Sequence, residues 1–170
     1  MKKVNYSLEQ RIPYLTNRLA SAVNEIFSLD LADAKLTIAD WRVLSVLHDV
    51  GDQKLIELSI HTSIDASTLS RLTENMQRRR LIDKKRSKLS KREITVSLTS
   101  RGKELVEAFT PRALQYERII VQGSSEQEIE AMREMLRVMY QRIMDFRASA
   151  RPHKARRATN AQFRARSLDV

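Results

Sequence analysis

Between Met76 and Arg92 the chain carries nine Lys or Arg against a single acid, Asp83. Just upstream, the run DASTLSRLTENMQRRRLI gathers Ser67, Thr68, Ser70 and Arg71 within five residues. Hydroxyls and guanidinium groups in this pattern are hydrogen-bond donors and cations, suited to phosphate oxygens and to the edges of bases. Farther on, Arg78, Arg79, Arg80, Lys84, Lys85 and Arg86 make a cluster suited to phosphate, and Lys88 and Lys91 add charge to a polar run from Ser87 to Lys91. The competing reading of such a stretch is a plain solvated face, so its structural setting decides.

Other chemistries lack their parts. No Ser-His-Asp order, glycine-rich phosphate loop or carboxylate pair stands out, so no enzyme activity is expected. His48, His61 and His153 are scattered, with no second histidine at ligand spacing, so neither a metal nor another cofactor is expected. His48 reads as structural and His61 as a candidate nucleic-acid contact. Cysteine is absent, which removes disulfides and thiolate zinc sites. The N-terminus MKKVNYSLEQ lacks the apolar core of a signal peptide, and no stretch approaches the roughly 18 apolar residues of a membrane span. A cytoplasmic protein without membrane contact is the expectation.

The elements that must position the basic stretch follow from periodicity. Ile12, Leu15, Leu19, Val23, Ile26 and Phe27 recur at helical spacing. Ser7 and Gln10 resemble a capping box, but Pro13 six residues on means that the helix either begins near Pro13 or is kinked there. Thr37 is a good cap for a second helix ending at Gly51. A short third helix holds Leu55, Ile56, Leu58 and Ile60. Asp65 or Ser67 caps a fourth, which buries Leu69, Leu72 and Met76 and runs to about Arg79. Then the period becomes two: Leu81 to Arg86 and Arg92 to Leu98 read as strands around a basic tip. A helix from Thr99 or Ser100 carries Leu105, Val106 and Phe109, with an irregularity expected at Pro111 and an end at Gly123. Ser125 and Glu128 open the last helix, expected to bury Ile129, Met132, Leu136, Met139, Ile143 and Phe146.

The predicted fold class is therefore mainly α with a small β-hairpin wing, a winged helix-turn-helix domain flanked by N- and C-terminal helices. Residues 1–148 read as one domain, with the winged part at about 37–99 and the long helices at about 8–28 and 100–147. Residues 149–170 read as a basic, disordered tail. The net charge of +10 divides accordingly: +5 falls on residues 38–102 and +6 on the tail from Arg147. In this arrangement the third helix of the motif enters the major groove, and the hairpin lies along the backbone or reaches the next minor groove. Ser67, Thr68, Ser70 and Arg71 then face base edges or phosphates, and Arg78, Lys84, Arg86, Lys88 and Lys91 face phosphates.

The sequence resembles the MarR family of winged-helix transcriptional regulators. LTIADWRVLSVL is similar to the helix before the family's DNA reader, and ASTLSRLTENMQRRRLI to the reader itself. ITVSLTSRGKEL resembles the second wing strand running into a dimerisation helix, and SSEQEIEAMREMLRVM the closing helix. The resemblance spans about Leu15 to Phe146. It implies double-stranded DNA as partner and a homodimer whose readers stand about 34–36 Å apart on a pseudo-palindrome. By position Arg92 matches the arginine that the family's wing inserts into the minor groove, while Ser90 replaces the usual aspartate two residues earlier. Arg80 stands where the family often has glycine. The two long amphipathic helices carry more apolar stripe than one small domain covers, which independently favours pairing across a two-fold axis. Four methionines between Met132 and Met144 read as filler of that interface.

The resemblance also implies a small aromatic or anionic effector. Arg11, Tyr14, Arg18, Trp41 and Arg42 supply rings and cationic donors for one. Ordinary core packing competes for Trp41, and an ion pair for Arg18. Without cysteine, the family's thiol-based peroxide sensing is excluded. The expected function is a repressor released from its operator by such an effector. An effector-independent architectural or anti-silencing protein is the alternative, and a helical adaptor with a basic patch a third.

Overall fold

A computed structural model describes residues 6–86 and 93–166, with side chains as far as Ala150. In chain order the elements are α1 (Ile12–Ala32), α2 (Ile38–Val50), β1 (Gln53–Lys54), α3 (Leu55–Thr62), α4 (Ala66–Arg78), β2 (Ile82–Arg86), β3 (Ile94–Leu98), α5 (Ser100–Ile120) and α6 (Glu126–Arg166). The chain divides into two compact units, one ending at Ile120 and one beginning at Val121. Among the described residues no helix is long and apolar enough to cross a membrane.

Local chemistry sets the ends of these helices. Ser7 makes no side-chain cap bond, and Pro13 lies in the first two positions of α1, where its fixed φ suits helix entry; of the two starts open from the sequence, the one at the proline is taken. Thr37 and Asp40 form a reciprocal box at α2, the Asp40 N–H donating to Thr37 Oγ1 at 3.0 Å and the Thr37 N–H to Asp40 Oδ2 at 2.9 Å. Gly51 ends α2 at φ 84°, a conformation that favours glycine. Ser125 and Glu128 form the expected box at α6. Pro111 lies inside α5 without ending it.

Three strands form one antiparallel sheet in the order β1-β3-β2. The ladder pairs Ile82 with Leu98 through Arg86 with Ile94, and Gln53 joins the far side opposite Val96. β1 was not expected, because two residues are too few to show an alternation. The core fills the space between α1 to α5 and the sheet, with Leu31, Val43, Leu44, Leu58, Leu69, Met76, Ile82 and Val96 excluded from solvent. Gly102, buried in α5, lets that helix pass directly against the Leu81 carbonyl; a Cβ there would collide with the carbonyl oxygen. Alanine is ordinarily the better helix former by about 1 kcal/mol. Here the collision with backbone outweighs that gain, so Gly102→Ala is expected to lower stability by about 1–3 kcal/mol, read as a lower urea midpoint at unchanged slope.

Helix α6 is described as far as Arg166. One expectation is corrected. The apolar stripes of the long helices are largely uncovered within the chain. On α1 only Phe27 and Leu31 are buried, while Ile12, Leu15, Leu19 and Ile26 are exposed. On α6 Ile129 is buried, but Met132, Leu136, Ile143 and Phe146 are open to solvent.

Candidate nucleic-acid interface

The N-terminal turn of α4 is built around Asp65. Its Oδ1 accepts the N–H groups of Ser67 at 3.1 Å and Thr68 at 2.9 Å and the Ser67 hydroxyl at 2.6 Å. Hydrogen bonds from Ser67 and Thr68 hold the Asp65 carboxyl well below the usual carboxylate range. The cap is therefore an anion throughout the neutral range, and it satisfies donors that the helix itself leaves unpaired. The Ser67 hydroxyl proton is committed to this cap, which leaves its oxygen as an acceptor.

Ser67, Thr68, Arg71 and Arg78 are all exposed, while Leu69, Thr73 and Met76 anchor the opposite face in the core. Ser70 is half-buried, and its carbonyl accepts the Thr73 hydroxyl at 3.0 Å. The open face also takes in Glu74 and Asn75, neither of them among the residues expected there from the sequence. Their spacing of three and four from Arg71 was the available signal.

Arg79 departs from the expected phosphate cluster. Its Nη1 donates to Asp40 Oδ2 at 3.0 Å and its Nη2 to the Lys35 carbonyl, so it clamps the end of α4 to the start of α2. Asp40 is only 1% exposed, and this ion pair belongs to the scaffold. Arg80 follows at φ 58° and is exposed. The Leu81 N–H donates to the Met76 carbonyl at 3.0 Å and the Arg80 N–H to that of Gln77 at 2.9 Å, a helix ending that normally selects glycine. The turn is held from outside as well: Thr99 Oγ1 donates to the Arg80 carbonyl at 2.7 Å and accepts the Gly102 N–H at 3.1 Å.

In the wing, Arg86 and Lys85 are exposed and Lys84 is half-buried. Lys88, Lys91 and Arg92, and Ser90 with them, lie outside the described residues. At the base of the wing Lys54 Nζ meets Glu93 Oε1 at 3.0 Å, and this bond raises the Lys54 pKa. Both side chains are about half exposed, so solvent screens the pair and it adds little to stability.

Trp41 and Arg42, two of the five candidate effector residues, line one cavity of about 460 Å³ between α2 and the end of α3. Ser45, Val46 and His61 share its wall. The Ser45 hydroxyl is buried with no hydrogen-bond partner. Trp41 also packs edge-on against Phe27 at 5.1 Å, and Phe27 against Tyr116 at 5.9 Å, so Trp41 is at once core and cavity wall. Arg11 and Arg18 do not line this cavity: Arg11 lies over the Tyr6 ring at 5.2 Å and Arg18 over the Tyr14 ring at 5.6 Å. Tyr14 is likewise absent from the wall. Among the described residues no group of three or more His, Cys, Asp or Glu could hold a metal ion.

Comparison with known proteins adds a second line of evidence. The family model of the transcriptional regulators SarA and Rot matches residues 25–109. The chain is 25% identical over 134 residues to the transcriptional repressor NicR of Pseudomonas putida, covering 79% of this chain and 85% of NicR. It is 30% identical to BpsR of Bordetella bronchiseptica, whose DNA binding is regulated by 6-hydroxynicotinic acid, over 76% of this chain and 98% of BpsR, with a TM-score of 0.68. A MarR family regulator from Silicibacter pomeroyi is 26% identical over 78% of this chain and 90% of its own, with a TM-score of 0.72.

Proposed function

Because the chain belongs to the MarR family of winged-helix transcriptional regulators, we propose that it is a homodimeric repressor, acting in the cytoplasm, that releases a pseudo-palindromic operator when a small aromatic or anionic effector binds. One observation carries the reading: Ser67, Arg71 and Arg78 stand open along a single face of a helix fixed at both ends, by Asp65 at its start and by Arg79 at its finish. Arg71 has the reach and the fork geometry for a guanine edge, Thr68 for a neighbouring base or phosphate, and the Ser67 oxygen can accept from a base amino group. Lys84, Arg86 and Lys85 continue the basic surface toward the wing, where Lys88, Lys91 and Arg92 follow in sequence.

Arg71→Ala is expected to weaken the cognate operator by roughly 1–3 kcal/mol and to blur the base preference at one position of each half-site. Footprinting and competition against scrambled duplexes check it; equal weakening on every sequence would reduce Arg71 to a phosphate contact. The dimer is supported by the open apolar faces of α1 and α6, which a second copy would cover.

The effector seat in this reading is the cavity beside Trp41, with Arg42 as cationic donor and the unpartnered Ser45 hydroxyl as a further polar contact. Since BpsR responds to 6-hydroxynicotinic acid, that compound is the first probe. Trp41 is the sole tryptophan, so its fluorescence reports the cavity directly. Saturable quenching together with operator release is the expected result. If no aromatic acid in a panel quenches Trp41 or releases DNA, the effector-independent architectural reading takes its place.

A further inference from the structure

A second concavity, of about 580 Å³, opens between the turn joining α1 to α2, the end of α4 and the first turn of α5. Lys35, Arg78, Arg80 and Arg101 line it, and Asp33 is the one acid among its lining residues. All four cations are exposed, and none of them has a salt-bridge partner among the described residues. The C-terminal ends of α1 and α4 favour nearby cations, which accounts singly for Lys35, Arg78 and Arg80. It does not account for Arg101, which stands at the positive end of α5 in a first turn that has no acidic residue. Nor does it account for the convergence of four like charges on one hollow, where their fields add and the protein alone gains nothing.

We propose that this hollow binds a small polyanion, of the class of a pyrophosphate or phosphorylated metabolite, through Lys35, Arg78, Arg80 and Arg101. The frame is preorganised. The backbone at Arg80 is fixed by the turn after α4, and Lys35 is held at φ 55° by the Leu36 N–H bonded to the Leu31 carbonyl at 3.0 Å. Arg79 locks the two turns together through the Lys35 carbonyl. Leu105, half-buried on the same wall, gives an organic portion an apolar seat. At about 580 Å³ the hollow has room for a compact anion, with Lys35 and Arg101 bringing charge from outside the reader helix. A bound anion would tie the end of the reader to the start of α5, and by linkage its affinity and that of the operator would alter each other by the same factor.

The test titrates the full chain with inorganic pyrophosphate by calorimetry at fixed ionic strength. Saturable binding of one pyrophosphate per chain is expected, weakened roughly tenfold or more by Lys35→Gln and by Arg101→Gln. Melting curves without pyrophosphate verify that both variants fold. Absence of saturable binding, binding unchanged in Arg101→Gln, or an effect matched by potassium chloride at equal ionic strength overturns the proposal. So does a roughly tenfold loss of operator affinity in Arg101→Gln without pyrophosphate, which would make the hollow a seat for the DNA backbone. Quenching of Trp41 by an aromatic acid should be the same in Arg101→Gln, because Arg101 does not line that cavity; this separates failure here from failure of the effector reading.

Discussion

Operator affinity is expected to fall by about 10³–10⁵-fold as salt rises from 50 to 200 mM. Two reader faces and two wings give a dimer about six to ten phosphate contacts, and each neutralised phosphate releases condensed counterions, for a log–log slope near −0.9 per contact. Arg71 and Arg78 on α4 and Arg86 on β2 are exposed and unpaired among the described residues, so their charge is available to DNA. Anisotropy titrations at four or five salt concentrations measure the slope. Replacing Arg78 with Gln should flatten it by about one contact per chain while leaving base preference intact. A flat response in the parent protein would reject the interface altogether.

Arg79→Met is expected to destabilise the fold by roughly 3 kcal/mol. Asp40 is 1% exposed, and its Oδ2 takes hydrogen bonds from Arg79, the Thr37 N–H and the Thr37 hydroxyl. Among the described residues its Oδ1 has no partner and Arg79 is its only opposing charge. Removing one member of a buried pair leaves an uncompensated charge, which costs about 3–5 kcal/mol, and the partial exposure of Arg79 places this case at the low end. Urea unfolding gives the loss directly. Adding Asp40→Asn to Arg79→Met should recover part of it, since the stranded charge is then gone. A variant with unchanged stability but weaker DNA binding would return Arg79 to the phosphate cluster.

Arg79 also marks where the sequence stopped being legible. Features fixed within a few residues could be read directly: the Thr37 cap, the Ser125–Glu128 box, and the alternation of Ile94, Val96 and Leu98; of Asp65 and Ser67, both open as caps of α4, the structure takes Asp65. The direction of the Arg79 side chain depends on a carboxylate 39 residues away, and nothing in RRRLI distinguishes it from its two neighbours. β1 owes its existence to β3, with which it pairs, and not to any pattern of its own. Periodicity identified the apolar faces of α1 and α6 correctly as faces. It could not say whether the cover comes from the same chain or from another, because a stripe carries no label for its partner. Arg80 fell between these cases: its departure from glycine was visible, while its tolerance of φ 58° rests on Thr99, nineteen residues on.

That Thr99 joint has a mechanical consequence. One hydroxyl holds the carbonyl that closes α4 and the N–H that opens α5, and Gly102 removes the spacer that would keep the two apart. A shift at the start of α5 is therefore expected to reach the end of α4 through this one joint. In the proposed dimer that makes α5, 21 residues long, the arm through which the spacing of the two readers would be adjusted.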